Sequence, residues 1–214
     1  MTGHLQPDPE VVAAYQAVRE RVIDLVRTLP EEAGDTVVPH CPAWTVRELL
    51  AHLVGVPEDI LAGRMEGVTT EAWTAAQVER HRGESLALLA DSFAAGTSAF
   101  DAVLPHIPSP VNSQLVMDAT THEHDLRHAV GRAGARDAAS VTVALGWLLD
   151  RAERTAPGLA GELLASGVGG FDLLRSLTGR RAPDQMTALG LDAGRISALL
   201  AGSPLRPPAD PVGD

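Results

Sequence analysis

The stretch Asp118-Ala119-Thr120-Thr121-His122 sets a carboxylate and an imidazole one helical turn apart, a spacing that stacks both side chains on one face. At about 100° per residue, Leu115, Asp118, His122, Asp125, Leu126 and Ala129 share one arc of a helix. Ionisable groups thus hold positions that apolar ones fill in a helix bundle, and burying them without partners is costly. A bound divalent cation is one compensation, and a carboxylate-x-x-x-His pair is a common half of a metal site. The other half is His52, which lies between Leu49 and Val56 on an apolar, inward face. Two imidazoles and one carboxylate leave a coordination position open, the pattern of a catalytic rather than a structural zinc. Two plainer readings stay open: His52 as a core histidine donating to a backbone carbonyl, and Asp118 with His122 as a local hydrogen-bonded pair.

Other groups nearby fit less well. Glu123 lies at the border of the inward arc and is a substitute ligand. His124 and His128, also one turn apart, point away from His122 and read as a solvated face. The string His122-Glu123-His124-Asp125-Leu126 is not the zinc-protease H-E-x-x-H, because position 126 is leucine. Neither a phosphate-binding glycine loop with its lysine nor a G-x-S-x-G elbow is present. Cys41, the single cysteine, excludes an intramolecular disulfide framework and reads as a packed small residue rather than a nucleophile.

The elements that must position these groups are helices. Val12, Tyr15, Val18, Val22, Leu25 and Val26 give a first helix from Pro9 to about Thr28, closed by Pro30. Residues 31–43 form a turn-rich connection. Thr45-Val46-Arg47-Glu48 is a capping box that starts a second helix through Leu49, Leu50, Leu53 and Val56, with a kink or break at Pro57. A third, long helix is expected from near Thr70 to Phe100 or Leu104. A fourth follows Ser109-Pro110 and runs to about Val130, stopped by Gly131 and Gly134. Beyond Gly134 come one more amphipathic helix, Ala138 to Arg154, then shorter helical pieces and a loosely ordered tail from Pro204 to Asp214.

Composition supports this division. The chain has 214 residues, 45% hydrophobic and 21% charged, with aromatics at only 3%, a balance that favours packed helices over a β sandwich. The net charge of −11 argues against nucleic acid and anionic membrane surfaces as partners. No signal peptide is visible, and no apolar run approaches the ~18 residues of a membrane span. The sequence therefore reads as cytoplasmic and mainly α, with a four-helix bundle over residues 1–134 and a short, mainly helical region over 135–214.

The run Val38-Pro39-His40-Cys41-Pro42-Ala43-Trp44-Thr45-Val46-Arg47-Glu48-Leu49-Leu50-Ala51-His52-Leu53 resembles the opening signature of the mycothiol-dependent maleylpyruvate isomerase family, within the DinB-like superfamily. The likeness continues through Ala75-Ala76-Gln77-Val78-Glu79-Arg80 and Asp118-x-x-x-His122-x-x-Asp125-Leu126. It is similar again at Leu174-Arg175-Ser176-Leu177-Thr178-Gly179-Arg180-Arg181 in the C-terminal region. The resemblance implies a DinB-like bundle that binds a divalent metal, usually zinc, through His52, Asp118 and His122. The family's usual Glu is replaced here by Asp118, one methylene shorter. Full-length isomerases of this kind carry a larger α/β C-terminal domain, so maleylpyruvate is a poor substrate guess for this chain.

The resemblance further implies mycothiol as a thiol cosubstrate, held by the metal as thiolate, the nucleophilic form. Addition and departure of that thiolate give isomerisation, and displacement of a leaving group gives S-transfer, on a small anionic or electrophilic substrate. Asp125, one turn beyond His122, is the candidate to orient an imidazole ligand; a surface ion pair with Arg127 or Arg132 is its plainer role. Arg180, as a catalytic group, and Arg181, as a thiol-binding one, are expected near the metal, where arginine suits carboxylate recognition. Two exposed loop arginines are the alternative. The function classes that compete are a hydrolase using metal-bound water and a non-catalytic metal-binding regulatory module.

Overall fold

A computed structural model describes residues 3–213. The chain divides into two compact units. One comprises Tyr15–Pro108 and His122–Gly134; the other comprises the described residues up to Ala14, Ser109–Thr121 and the described residues from Ala135 on. Both are mainly helical, as the composition predicts.

The first unit is the bundle of the DinB-like type, and its helices are α1 (Asp8–Arg27), α2 (Val46–Leu61), α3 (Glu71–Arg80), α4 (Leu86–Ala95), α5 (Thr97–Val103) and α6 (Val111–Ala129). Helices α1 and α6 each give residues to both units. On α1 the buried stripe is Tyr15, Val18, Val22, Ile23 and Val26. Ile23, not Leu25, carries it inward, so the stripe is rotated from the expected one. Arg19 pairs with Asp101 at 2.8 and 3.0 Å, which fastens α1 to α5. Leu49, Leu50, Leu86, Leu89, Phe93, Phe100 and Leu126 fill the centre.

Helix α2 starts as its sequence predicts. The Thr45 hydroxyl accepts from the Glu48 backbone N–H at 3.3 Å, and the Glu48 carboxylate accepts from the Thr45 N–H at 2.8 Å. Pro57 does not end it: α2 continues to Leu61, and Val56, Pro57 and Asp59 are all buried, which offsets the lost backbone donor. The expected third helix is three separate helices. Gly83, with φ of 81°, and the Ser85 cap on the Leu88 N–H at 3.1 Å end one and start the next, and Gly96 separates α4 from α5. The connection before α2 holds a hairpin that the sequence did not announce, β1 (Val37–Val38) antiparallel to β2 (Cys41–Thr45). Helix α6 ends at Gly131, whose φ of 64° lets the Arg132 N–H reach the Arg127 carbonyl at 2.8 Å.

The second unit adds α7 (Ala139–Thr155), α8 (Leu159–Ala165), α9 (Gly170–Leu177), α10 (Pro183–Ala188) and α11 (Ala193–Leu200). Met117, Trp147, Leu148, Leu174, Met186, Ile196 and Leu200 make its core. The C-terminal tail, expected to be loose, is fastened here. The Gln185 side chain donates to the Val212 carbonyl at 2.9 Å, and Gly179 packs so closely that a Cβ would lie 2.0 Å from the Leu205 carbonyl oxygen. Among the described residues no single helix is long and apolar enough to cross a membrane.

Candidate metal centre

His52 sits on the buried face of α2, only 2% exposed. Its Nδ1 lies 2.8 Å from the Gln77 Oε1 on α3. Gln77 is itself oriented, because its amide nitrogen donates to Asp59 Oδ2 at 2.8 Å. An amide held that way presents its oxygen to His52, so Nδ1 carries the proton and the lone pair is on Nε2, the neutral tautomer a metal requires. Asp59 is fully buried and anchored in turn by Arg64 and Arg80, each at 2.6 Å. The chain Arg64/Arg80–Asp59–Gln77–His52 is thus a continuous support behind one imidazole, the kind of outer-shell partner that fixes a ligating histidine.

His122, on α6, has a carboxylate close to its ring. Its Nδ1 lies 3.3 Å from Asp125 Oδ2, one turn along the helix, and Asp125 is wholly buried. Burial rules out the surface ion pair with Arg127 or Arg132 that was the plainer role for Asp125. The two imidazoles meet edge to face with ring centroids 5.1 Å apart, and the Trp44 indole on β2 lies against both, 5.2 Å from His52 and 5.7 Å from His122. Asp118 is half-buried one turn before His122 on the same helix. Asp118 and His122 sit one turn apart on α6, and His122 faces His52 within the bundle unit, so these three are the candidate ligands. Two imidazoles, one with its Nδ1 proton held by Gln77, and a carboxylate one turn from the other make an N, N, O donor set that fits a divalent cation.

The neighbouring candidates have other occupations. Glu123 is fully buried and gives its carboxylate to Arg21, at 2.8 and 2.7 Å, and to Arg127 at 2.9 Å, so it is an ion-pair anchor between α1 and α6. His124 and His128 do not form a solvated face: His124 is buried, and His128 is half-buried with its ring 4.9 Å from that of His40. Cys41 is more than packing, since its Sγ donates to Asp125 Oδ2 at 3.5 Å. Arg180 and Arg181 are both buried rather than exposed loop arginines. Within their unit Arg181 pairs with Asp172 at 3.0 Å and Arg180 donates to the Thr178 carbonyl at 2.6 Å.

Sequence reasoning assigned no role to Gln77, Asp59 or Trp44. A signal existed for Asp59, seven residues after His52 and therefore on the same side of α2 two turns on. Nothing local marks Gln77, whose role depends on α3 packing against α2.

Residues 15–140 match the family model of the mycothiol maleylpyruvate isomerase N-terminal domain. The chain belongs to that family. The matched region contains Cys41, His52, Gln77, Asp118, His122 and Asp125 and stops before Arg180 and Arg181. No curated protein and no solved structure matches the chain.

Proposed function

We propose that this family member is a divalent-metal enzyme that works with a low-molecular-weight thiol of the mycothiol type, as an isomerase or S-transferase. The observation that supports it most is the convergence of His52 and His122 within the bundle unit, with the His52 Nδ1 held by Gln77 and Asp118 one turn before His122 on α6. A cation bound there, zinc by the donor set, supplies the positive field that keeps a thiol sulfur as thiolate at neutral pH. Electroneutrality favours that outcome: Asp118 offsets one of two positive charges, and an anionic sulfur offsets the other.

The protein's own residues supply orientation. Gln77 holds the proton of His52 on Nδ1, and the Asp125 carboxylate lies 3.3 Å from the His122 Nδ1, where it supports that ring. Trp44 covers both imidazoles with an apolar plane and limits water beside them. Arg180 and Arg181 belong to the same proposal as the groups that recognise an anionic thiol or substrate.

Metal analysis of purified protein, with and without added thiol in turnover assays of electrophilic and isomerisable substrates, tests this reading. One metal per chain in the wild type, lost in His122→Ala and held more weakly in His52→Ala, with activity that requires thiol, is the expected result. Turnover without thiol would make the chain a hydrolase. Unchanged metal affinity in His52→Ala would remove the centre. Arg180→Ala and Arg181→Ala should raise KM for an anionic thiol or substrate and leave metal content unchanged.

A further inference from the structure

A second group of donors shares His122. Cys41 Sγ, His122 and Asp125 offer ligand atoms that lie within 4.8 Å of one another, and all three belong to the bundle unit. We propose that they form a second, alternative seat for a thiophilic divalent cation.

The distances are those of a coordination polyhedron. With zinc bonds of about 2.3 Å to sulfur and about 2.0–2.1 Å to oxygen and nitrogen, tetrahedral angles place S and O about 3.5 Å apart and N and O about 3.4 Å apart. The structure has Sγ–Oδ2 at 3.5 Å and Nδ1–Oδ2 at 3.3 Å, both measured to the same carboxylate oxygen. Two of the three edges are therefore already at ligation length, with no rotamer change. The charge also closes. A dication with the thiolate of Cys41 and the carboxylate of Asp125 is neutral, which suits a site where Asp125 has no exposure.

His122 links the two seats. A neutral imidazole has one lone pair, on Nε2 while Nδ1 carries the proton and on Nδ1 once that proton moves to Nε2. One chain therefore binds one cation at a time, in either seat. Entry into the second seat forms the sulfur–metal bond and releases one proton, that of the Cys41 thiol, to solvent. Ligand softness sets the preference: sulfur attracts zinc, cadmium and cobalt over magnesium or manganese. The argument rests on the His52 reading only for this competition; the Cys41 donor set stands without it.

Cobalt(II) titration followed by absorbance is the test. The expected result is a sulfur-to-cobalt charge-transfer band in the near ultraviolet, saturating at one equivalent. It should be absent in Cys41→Ser and more intense in His52→Ala, where the competing seat is gone. Visible cobalt absorption without that band in the wild type, lost in His52→Ala, would overturn the proposal and leave the His52 centre standing. A band of equal intensity in wild type and His52→Ala would support the Cys41 seat and remove the competing His52 centre. No cobalt binding in the wild type would overturn both. A second measurement needs no variant: Cys41 is the only cysteine, so cadmium should slow its alkylation, read by intact mass, at least about tenfold. An unchanged alkylation rate at saturating cadmium would also overturn the proposal.

Discussion

Gln77 governs His52 without being able to hold a metal strongly itself. Gln77→Met keeps the volume but removes the acceptor for the His52 Nδ1 proton, so metal affinity should fall by about 10–100-fold in a chelator competition. The helices should persist by circular dichroism. A second contrast separates ligand from scaffold on α6. Asp118→Ala should weaken metal binding more than Gln77→Met does and change metal-free stability little. Glu123→Ala should leave metal affinity nearly intact but cost on the order of 3 kcal/mol in urea unfolding, because it breaks a fully buried ion-pair set. Equal effects of the two on metal binding would mean that the ligand face of α6 was misread. The sequence showed the Asp118–His122 pair because helical spacing alone encodes it. It could not show Cys41 beside Asp125, since those residues are 84 positions apart and meet only through the hairpin before α2.

Elements differ in how openly the sequence announces them. The capping box of α2 was plain, since Thr45 and Glu48 complete each other locally. The break-up of the third helix was written in Gly83, Ser85 and Gly96, yet apolar periodicity ran across all three and masked it. Arg47, on the first turn of α2, shows how such pieces are joined. It pairs with Glu31 in the 3-10 turn over Glu31–Asp35 and donates to the Glu84 carbonyl at 3.0 Å, just before α4. Glu31 also accepts the Leu86 N–H at 3.1 Å at the start of α4. The Arg47 hydrogen bond, aided by that backbone donor, holds the Glu31 carboxyl below its ordinary value. A carboxyl lowered on folding adds stability that is complete above its unfolded pKa, about 4.3, and is lost as pH falls through the lower folded value. Glu31→Gln should therefore be less stable than wild type at pH 7, and the gap should narrow as unfolding is measured at progressively more acidic pH. A constant gap would mean that the pair contributes nothing through its charge.

At the scale of the whole molecule, the mainly helical class and the family followed from composition and the motif around His52. The packing of the C-terminal region did not, because its glycine- and proline-rich texture resembles that of loose chain. Gly179 is where the difference is decided. Its φ is 71°, and a side chain there would strike the Leu205 carbonyl. Gly179→Ala should destabilise the second unit by about 2–3 kcal/mol and free the residues after Leu200 to proteolysis. Unchanged proteolysis beyond Leu200 in Gly179→Ala would mean that this contact does not hold the tail.

Trp44 gives the protein an optical signal of its own. The chain has three tryptophans; Trp147 lies in the core of the second unit, and the Trp73 indole N–H donates to the Arg64 carbonyl at 2.9 Å. Only Trp44 has its ring against His52 and His122. An excited indole is quenched by a neighbouring imidazolium and by a paramagnetic ion, so emission from this one ring reads the state of the pair beneath it. Steady-state fluorescence should drop on cobalt addition and should lose most of that response in Trp44→Phe. The indole that shelters the imidazoles is then also the means of timing what reaches them, in stopped flow, without any label attached to the chain.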